Sequence, residues 1–262
     1  MKTSVGESER TSGKHALLEK LLGREVGIMI RSLPPWMDRH YTFMDLCAGD
    51  GRPSGSSRAS SPQIINGYYQ MLKRARVPAK MIFVERDKNT FANLLAKNYE
   101  ALHFNIDATE IKAVPCLVDN NSAMFIHADP NHIEDWPISP ELLISAPKFT
   151  TLLVTMGCNV GGLKRLPLEA RQPWFSRMDN LLGWMPKRHD ALLISLLGDG
   201  AQWAYLIIGP GKWQGKHRAE ARNAFKAWPW GLEMVGYRTN KAEFFELRDR
   251  LFLTTRERDA NA

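Results

Sequence analysis

The sequence predicts an α/β fold with a mainly parallel sheet, helices on both faces and a C-terminal antiparallel hairpin. Short apolar runs of strand type alternate with stretches of helical spacing, which implies crossover connections between parallel strands. Several of the runs end in glycine or in an acidic residue, at the sheet edge where such folds bind ligands. The 262 residues are 44% hydrophobic and 24% charged, which is ordinary globular usage and argues against a largely disordered or fibrous chain.

The elements of the first half follow from periodicity and turn residues. Apolar residues at helical spacing predict an amphipathic helix from His15 to about Arg31. A serine directly before Pro62 is typical of a helix start, and this helix is expected to reach about Arg76. The other elements expected here are strands at 41–46, 81–85, 102–106, 123–127 and 151–156, and helices at 88–98, within 111–117 and from 139.

The second half is less clearly patterned. Residues 191–197 and 203–208 are apolar enough to be strands or buried helices, and the pattern leaves both open. Residues 233–238 and 251–255 are expected to pair as antiparallel strands. We therefore predict a disordered tail at 1–13, a helix at 14–35 and a single domain at 36–258.

Several classes of protein are disfavoured by what the sequence lacks. No apolar run approaches the ~18 residues of a membrane helix, and the first residues contain no secretory apolar stretch. The three cysteines are odd in number and widely spaced, which argues against a disulfide framework and favours a reducing compartment. The histidine spacing suggests no zinc site. A cytoplasmic location and no metal are the expectations.

The net charge of +7 is concentrated in two segments. Residues 157–190 hold six basic and three acidic residues, and residues 209–230 hold five basic residues and one acidic residue. The second segment also contains Trp213, Trp228 and Trp230. Basic side chains interleaved with aromatic ones suit a polyanion with stackable bases. A solvated basic face is the alternative.

A glycine turn follows the first predicted strand, in the run DLCAGDG at 45–51. Glycines there let the backbone turn sharply and approach a ligand closely. The run is not the dinucleotide pattern GxGxxG, because Arg52-Pro53-Ser54 follows it. Acidic residues also follow the next predicted strands, at Glu85, Asp107 and Asp129.

These residues resemble motifs of the S-adenosylmethionine-dependent methyltransferases. The likeness implies a Rossmann-like methyltransferase fold with S-adenosylmethionine as cofactor, Glu85 at its ribose and Asp107 at its adenine. The runs MDLCAGDGR, SSP, FVERD and ADPN, and the closing FFELRDRLFLTT as a terminal strand segment, are similar to the three-Cys-motif partner proteins. The residues implied for cofactor binding are Asp45, Cys47, Ala48, Gly49, Gly51, Glu85, Arg86, Asp107 and Ala108.

The run Asp129-Pro130-Asn131-His132 lies where amino-methyltransferases carry a D-P-P-Y type motif. There the acid accepts hydrogen bonds from the target amine, and the aromatic residue stacks on an extruded base. Asn131 and His132 depart from that motif, and Trp136 is a candidate for the missing stacking surface. A plain loop start is the alternative interpretation.

The expected function is a methyltransferase acting on an exocyclic amine of a nucleic-acid base, with DNA favoured over RNA. Methyl transfer needs little acid–base machinery, so no Ser-His-Asp arrangement is expected. Two alternatives remain: a binding or regulatory protein on the same scaffold, and a methyltransferase for a small molecule or protein. The residues expected to contact nucleic acid are Trp136, Lys164, Arg165, Lys212, Trp213, Lys216, Arg218 and Arg222.

Overall fold

Eight strands form one sheet in the computed structural model, which describes residues 11–31, 40–52, 59–112, 122–130, 138–156, 167–196, 203–228 and 231–260. The strands are β1 (Tyr41–Asp45), β2 (Ala79–Val84), β3 (Leu102–Phe104), β4 (Ala123–Ala128), β5 (Phe149–Met156), β6 (His189–Leu196), β7 (Trp203–Pro210) and β8 (Leu232–Gly236). Their order across the sheet is β3-β2-β1-β4-β5-β7-β6-β8.

The sheet has a parallel half and an antiparallel half. β3, β2, β1, β4 and β5 are parallel neighbours. β7 runs antiparallel to both β5 and β6, and β8 runs antiparallel to β6. The predicted fold class is thereby confirmed, and residues 191–196 and 203–208 prove to be strand rather than helix, with residue 197 outside the described part of the chain. The predicted pairing of 233–238 with 251–255 is wrong, because β8 pairs with β6 and residues 251–252 end a helix.

Eight α-helices occur in the described ranges. They are α1 (Thr11–Arg31), α2 (Ser61–Arg74), α3 (Lys88–Leu95), α4 (Pro140–Ser145), α5 (Leu168–Trp184), α6 (Gln214–Ala224), α7 (Lys241–Phe252) and α8 (Thr255–Ala260), with short 3₁₀ turns at Ala108–Glu110 and Gly211–Trp213. α1 begins before the predicted boundary at residue 14, and residues 1–10 lie outside the described part of the chain. The run FFELRDRLF belongs to α7, so its interpretation as a terminal strand segment is wrong.

Side chains alternate between the two faces of the sheet and form two apolar cores. In β1, Phe43 packs on the core beneath α1, α2, α3 and α6, whereas Met44 packs on the core beneath α4, α5 and α7. Successive residues of a strand point to opposite faces, so both cores use every central strand. This arrangement explains why the strands are apolar runs rather than alternating ones.

Polar side chains fix the helix starts that the sequence predicts. Asp87 accepts a hydrogen bond from the backbone N–H of Thr90 at 2.8 Å, and Ser139 accepts one from Leu142 at 3.0 Å. Both satisfy backbone donors that a helix start leaves free. The Asp87 cap starts α3 shortly after the end of β2, and the Ser139 cap starts α4 ahead of β5.

A buried carboxylate anchors α1 against the sheet and α6. Glu25 is fully buried and accepts hydrogen bonds from the Tyr41 hydroxyl at 2.9 Å and from His217 Nε2 at 3.0 Å. A buried polar group is tolerated when it is hydrogen-bonded in this way. Near the other end of α1, a Cβ on Gly13 would lie 3.1 Å from the Phe225 ring, so α1 and α6 lie antiparallel and close together.

None of the helices in the described ranges combines the length and apolar character that crossing a bilayer requires.

Candidate functional site

Four strand ends with acidic residues meet at one edge of the sheet. β3, β2, β1 and β4 are adjacent and parallel, so their carboxyl ends lie side by side. Asp45 ends β1, and Glu85, Asp107 and Asp129 follow β2, β3 and β4. The carboxyl edge of an open α/β sheet is the usual place for a ligand. The residues singled out from the sequence are thus brought together by the topology.

The glycine turn after β1 adopts a conformation that favours glycine. Gly49 has a φ of +63° and Gly51 a φ of +68°, both in the left-handed region. A Cβ on Gly51 would lie 3.2 Å from Leu94, so this position is also limited by packing. A Cβ on Gly49 would meet no atom within 4 Å. The turn therefore leaves open space in front of Gly49.

The Glu85 carboxylate is held facing this turn. Its Oε2 accepts a hydrogen bond from the Gly49 N–H at 3.0 Å, and its Oε1 accepts one from the Asp87 N–H at 2.9 Å. The Asn105 side chain donates to the Glu85 carbonyl at 2.8 Å and ties the end of β2 to the end of β3. The hydrogen bond from the Gly49 N–H thus joins two residues that lie 36 positions apart in the sequence.

Asp107 organises the neighbouring turn after β3. Its Oδ1 accepts hydrogen bonds from the Thr109 N–H at 2.9 Å and hydroxyl at 2.6 Å, and these lower the pKa of Asp107. The Arg86 guanidinium lies 3.7 Å from the other oxygen. Ala108 is buried under this turn. Asp107 is therefore ionised and still partly exposed, with one oxygen directed toward Arg86.

Asp45 is fully buried, and only one of its two carboxylate oxygens has hydrogen-bond partners among the described residues. Its Oδ1 accepts a hydrogen bond from the Cys47 N–H at 3.2 Å and lies 3.1 Å from His127 Nδ1. The sheet register places Asp45 directly opposite His127. Its Oδ2 is buried and has no hydrogen-bond partner among the described residues. An unpartnered carboxylate oxygen is costly, so the geometry suits a ligand that carries a cationic or N–H donor.

Burial and nearby charges shift the pKa values of two side chains beside Asp45, those of His127 and Cys47. Burial lowers the pKa of His127, but the carboxylates of Asp45 and Asp129 outweigh that effect, so the pKa lies above its ordinary value. Burial raises the pKa of the Cys47 thiol far above its ordinary value, and the two carboxylates raise it further. Cys47 is therefore an uncharged thiol, and His127 favours its charged form at a higher pH than usual.

Asp129 forms an ion pair with the N-terminal helix. Lys14 Nζ lies 2.6 Å from Asp129 Oδ2, and each side chain is 15% exposed. Burial raises the pKa of Asp129, but Lys14 and then His127 lower it more, so the group is ionised. Next to the pair, burial and the charge of Lys14 lower the pKa of His15 to about 4. The site thus contains a compact group of opposite charges contributed by α1, β1 and β4.

A cavity of about 370 Å³ opens beside the turn after β3. Thr109, Ile138, Leu143 and Trp184 are among its lining residues, and they come from the 3₁₀ turn, α4 and α5. Its walls are partly aromatic and partly polar, and its volume is in the range of small-ligand pockets. The cavity is close to Asp107 because Thr109 both lines it and binds that carboxylate.

The residues predicted to contact nucleic acid have different environments. Trp213 is only 5% exposed and packs edge-to-face on His217, so the prediction that it stacks on bases is wrong. Lys212 is exposed and lies 5.9 Å above the Phe149 ring. Lys216 and Arg222 are exposed on α6, and Arg218 is half-buried.

The basic segment at 157–190 also faces partly inward. Arg171 is 1% exposed, donates to the Phe252 carbonyl and pairs with Glu257. This arginine attaches α5 to the C-terminal helices, so Arg171 is not available to a polyanion, contrary to the interpretation of this segment as a basic surface. Asn131, His132, Trp136, Lys164 and Arg165 lie outside the described residues. Pro130 is described and half-buried after β4.

No group of three or more histidine, cysteine, aspartate or glutamate side chains within the described ranges has the geometry of a metal site.

Comparison with known proteins gives fold similarity without sequence similarity. No family profile matches the chain, and no curated protein matches it by sequence. The structure of protein LPL1258 from Legionella pneumophila, of the family DUF519, superposes with a TM-score of 0.52 at 11% identity. That alignment covers 86% of this chain and 94% of the Legionella chain, so the two share a fold.

Two methyltransferase structures are more distant. The plantazolicin methyltransferase BamL, in complex with a triazolic desmethylPZN analog and SAH, gives a TM-score of 0.44 at 10% identity, over 77% of this chain and 86% of BamL. A class I S-adenosylmethionine-dependent methyltransferase described as putative, lmo1582 from Listeria monocytogenes, gives 0.42 at 10% identity, over 79% of this chain and 70% of that chain.

Three residues of the site were missed by reasoning from the sequence. Lys14 and His15 belong to α1, far from Asp129 along the chain, and no local pattern links them to it. His127 lies inside an apolar strand, where a lone histidine is indistinguishable from a core residue. Its position two residues before Asp129 was the available signal, because alternate residues of a strand share a face.

Proposed function

We propose that this chain is an S-adenosylmethionine-dependent methyltransferase that acts on an exocyclic amine of a nucleic-acid base. One observation carries the proposal: acidic residues end four adjacent parallel strands, beside a left-handed glycine turn with open space at Gly49. Such an edge can hold a nucleoside whose hydroxyl and amino groups meet carboxylates.

The residues present fit the chemical groups of the cofactor. The unpartnered Oδ2 of Asp45 suits an ammonium group, and Glu85, fixed by two backbone N–H groups, retains lone pairs for ribose hydroxyls. The cavity beside Asp107 has room for a purine. S-adenosylmethionine supplies a methyl group on a sulfonium that is already activated for transfer. The proposed cofactor residues are Asp45, Cys47, Ala48, Gly49, Gly51, Glu85, Arg86, Asp107 and Ala108.

Asp129 is the proposed acceptor of the target amine. Its low pKa keeps it ionised, and Lys14 donates to Oδ2 while no described residue donates to Oδ1. A target N–H₂ that donates to Oδ1 would be oriented with its lone pair directed away from the carboxylate. As the new N–C bond forms and the C–S bond of the sulfonium breaks, the nitrogen would become acidic and would release one proton, which the Asp129 carboxylate that holds the N–H is placed to accept, so the chain contributes mainly position.

The test is mass spectrometry of nucleosides after incubation of DNA or RNA with the protein and isotope-labelled cofactor. We expect a labelled base. Asp129→Ala should abolish labelling and leave cofactor affinity within a few-fold, whereas Glu85→Ala should weaken the cofactor. Asp259→Ala, an exposed change on α8, is the matched control. If Asp129→Ala loses cofactor binding and Glu85→Ala still labels the base, the assignment of Asp129 to the target amine and of Glu85 to the cofactor is wrong.

A second candidate is a binding protein on the same scaffold that transfers no methyl group. The ion pair of Lys14 with Asp129 favours it, because the carboxylate is already neutralised from within the chain. Cofactor binding without label on DNA, RNA, protein or small molecules would support this candidate. Label found only on a protein or a small molecule would support a methyltransferase whose substrate is that molecule rather than a nucleic-acid base.

A further inference from the structure

A groove between α1 and α6 is lined by cations. Its volume is about 350 Å³, and its lining includes Arg24, Arg31 and Lys216 with Gly23 and Gly27. All three cationic side chains belong to residues that are exposed at the surface. None of the three forms an ion pair with an acidic residue of the described ranges. Three unpaired cations around one groove create a local positive potential.

Two glycines of α1 form the floor of the groove. A Cβ on Gly23 would lie 2.7 Å from the Tyr68 hydroxyl, whereas a Cβ on Gly27 would meet no atom within 4 Å. The groove is therefore open at Gly27, between the three cations. At the Gly23 end, burial and then the carboxylates of Glu19 and Glu220 raise the pKa of the Tyr68 hydroxyl, so these two acidic residues are the nearby opposite charges.

We propose that this groove binds phosphates of a nucleic-acid backbone and holds the substrate at a point remote from Asp129. That the polyanion is a nucleic acid rests on the proposed function, whereas the preference for phosphate groups follows from the three cationic side chains. Guanidinium groups bind phosphate oxygens bidentately, and lysine acts as a point charge. Arg24 and Arg31 belong to the N-terminal helix, outside the two basic segments that the sequence indicates.

The distance between groove and site follows from helix geometry. Lys14 lies at Asp129, and Arg24 and Arg31 lie ten and seventeen residues further along α1. At about 1.5 Å per residue these intervals are about 15 and 26 Å. At about 3.4 Å per base pair, the contacted phosphates lie roughly four to eight base pairs from the target. The substrate must therefore extend well beyond the methylated base.

The experiment measures binding to a 24-base-pair duplex DNA and to a 24-nucleotide RNA over a range of salt, using the full chain without cofactor. The groove variant is Arg24→Glu/Arg31→Glu/Lys216→Glu. The control variant, Lys148→Glu/Lys241→Glu/Arg256→Glu, makes the same charge change at exposed positions outside α1 and α6. Gly27→Leu fills the groove without changing charge. Phosphatidylserine vesicles test whether the groove binds an anionic lipid surface instead. A 6-base-pair duplex tests whether binding requires a substrate long enough to reach from Asp129 to the groove.

We expect the groove variant to weaken nucleic-acid affinity by about ten- to hundred-fold at 0.15 M salt and to reduce the log–log salt slope by about 0.9 per lost phosphate. The control should change affinity less than three-fold, and Gly27→Leu and the short duplex should each weaken it several-fold. Equal losses in groove and control variants, no binding to the wild type, or binding to vesicles alone would overturn the proposal. Groove-dependent binding, together with no labelled base in the mass-spectrometric test of the proposed function, would retain the groove and reject that function.

Discussion

Replacing Lys14 by methionine tests the charge balance of the site. The change leaves the mostly buried Asp129 carboxylate without the ammonium that lies 2.6 Å away. Removing one partner of a buried pair costs about 3–5 kcal/mol, and the 15% exposure of each side chain places the expected loss near 2–3 kcal/mol. For a chain of this size, that corresponds to a Tm lower by roughly 5–10 °C.

The pH dependence of this loss has a definite sign. The folded pKa of Asp129 is below its ordinary value, so the pair stabilises the fold above about pH 4 and the effect is lost as pH falls through the folded pKa. In Lys14→Met, the loss of the ammonium removes the largest effect that opposes burial, so the pKa of Asp129 is higher than in the wild type. The stability deficit of the variant should therefore be largest near pH 7 and shrink on acidification.

The assay is urea unfolding at several pH values for Lys14→Met, Asp129→Asn and the double variant. We expect a coupling free energy of about 2 kcal/mol near pH 7. Lys20→Met is the matched control on the same helix, because Lys20 is exposed. A coupling free energy near zero, or equal losses in Lys14→Met and Lys20→Met, would refute the reasoning.

Three further predictions concern single residues. Tyr41→Phe leaves one oxygen of the buried Glu25 without its donor and should cost about 1.5–3 kcal/mol by urea unfolding, and a loss below 0.5 kcal/mol would contradict this. Gly51→Ala should cost about 1–2 kcal/mol, since φ is +68° and the new methyl would approach Leu94; unchanged stability would mean that the turn relaxes. Cys47 should react with iodoacetamide at pH 7.5 far more slowly than a small free thiol, because its pKa is raised, and an equal rate would contradict that shift.

The sequence predicted the parallel half of the sheet well because each strand there is a short apolar run between turn residues. Asp45, Glu85, Asp107 and Asp129 were predicted at strand ends, and the topology alone then brings them together. The C-terminal region was predicted less well. Residues 251–252 were assigned to a strand because apolar residues in a short run fit a strand or a helix equally.

The charge network could not be predicted, because it depends on long-range packing. Lys14 reaches Asp129 across 115 residues of sequence, and Glu25 reaches His217 across 192. Trp213 was assigned to a nucleic-acid surface from the basic residues around it, yet it lies in the core. Composition indicates which residue types share a segment, whereas burial is decided by the face on which each residue falls.

Isothermal titration of the purified full chain with S-adenosylmethionine tests the central claim most directly. We predict saturable binding with one site per chain, weakened at least ten-fold in Glu85→Ala and unchanged within a few-fold in Asp259→Ala. Absence of saturable heat in the wild type, with the protein shown to be folded and no binding detected by equilibrium dialysis, would contradict the assignment of this sheet edge to the cofactor.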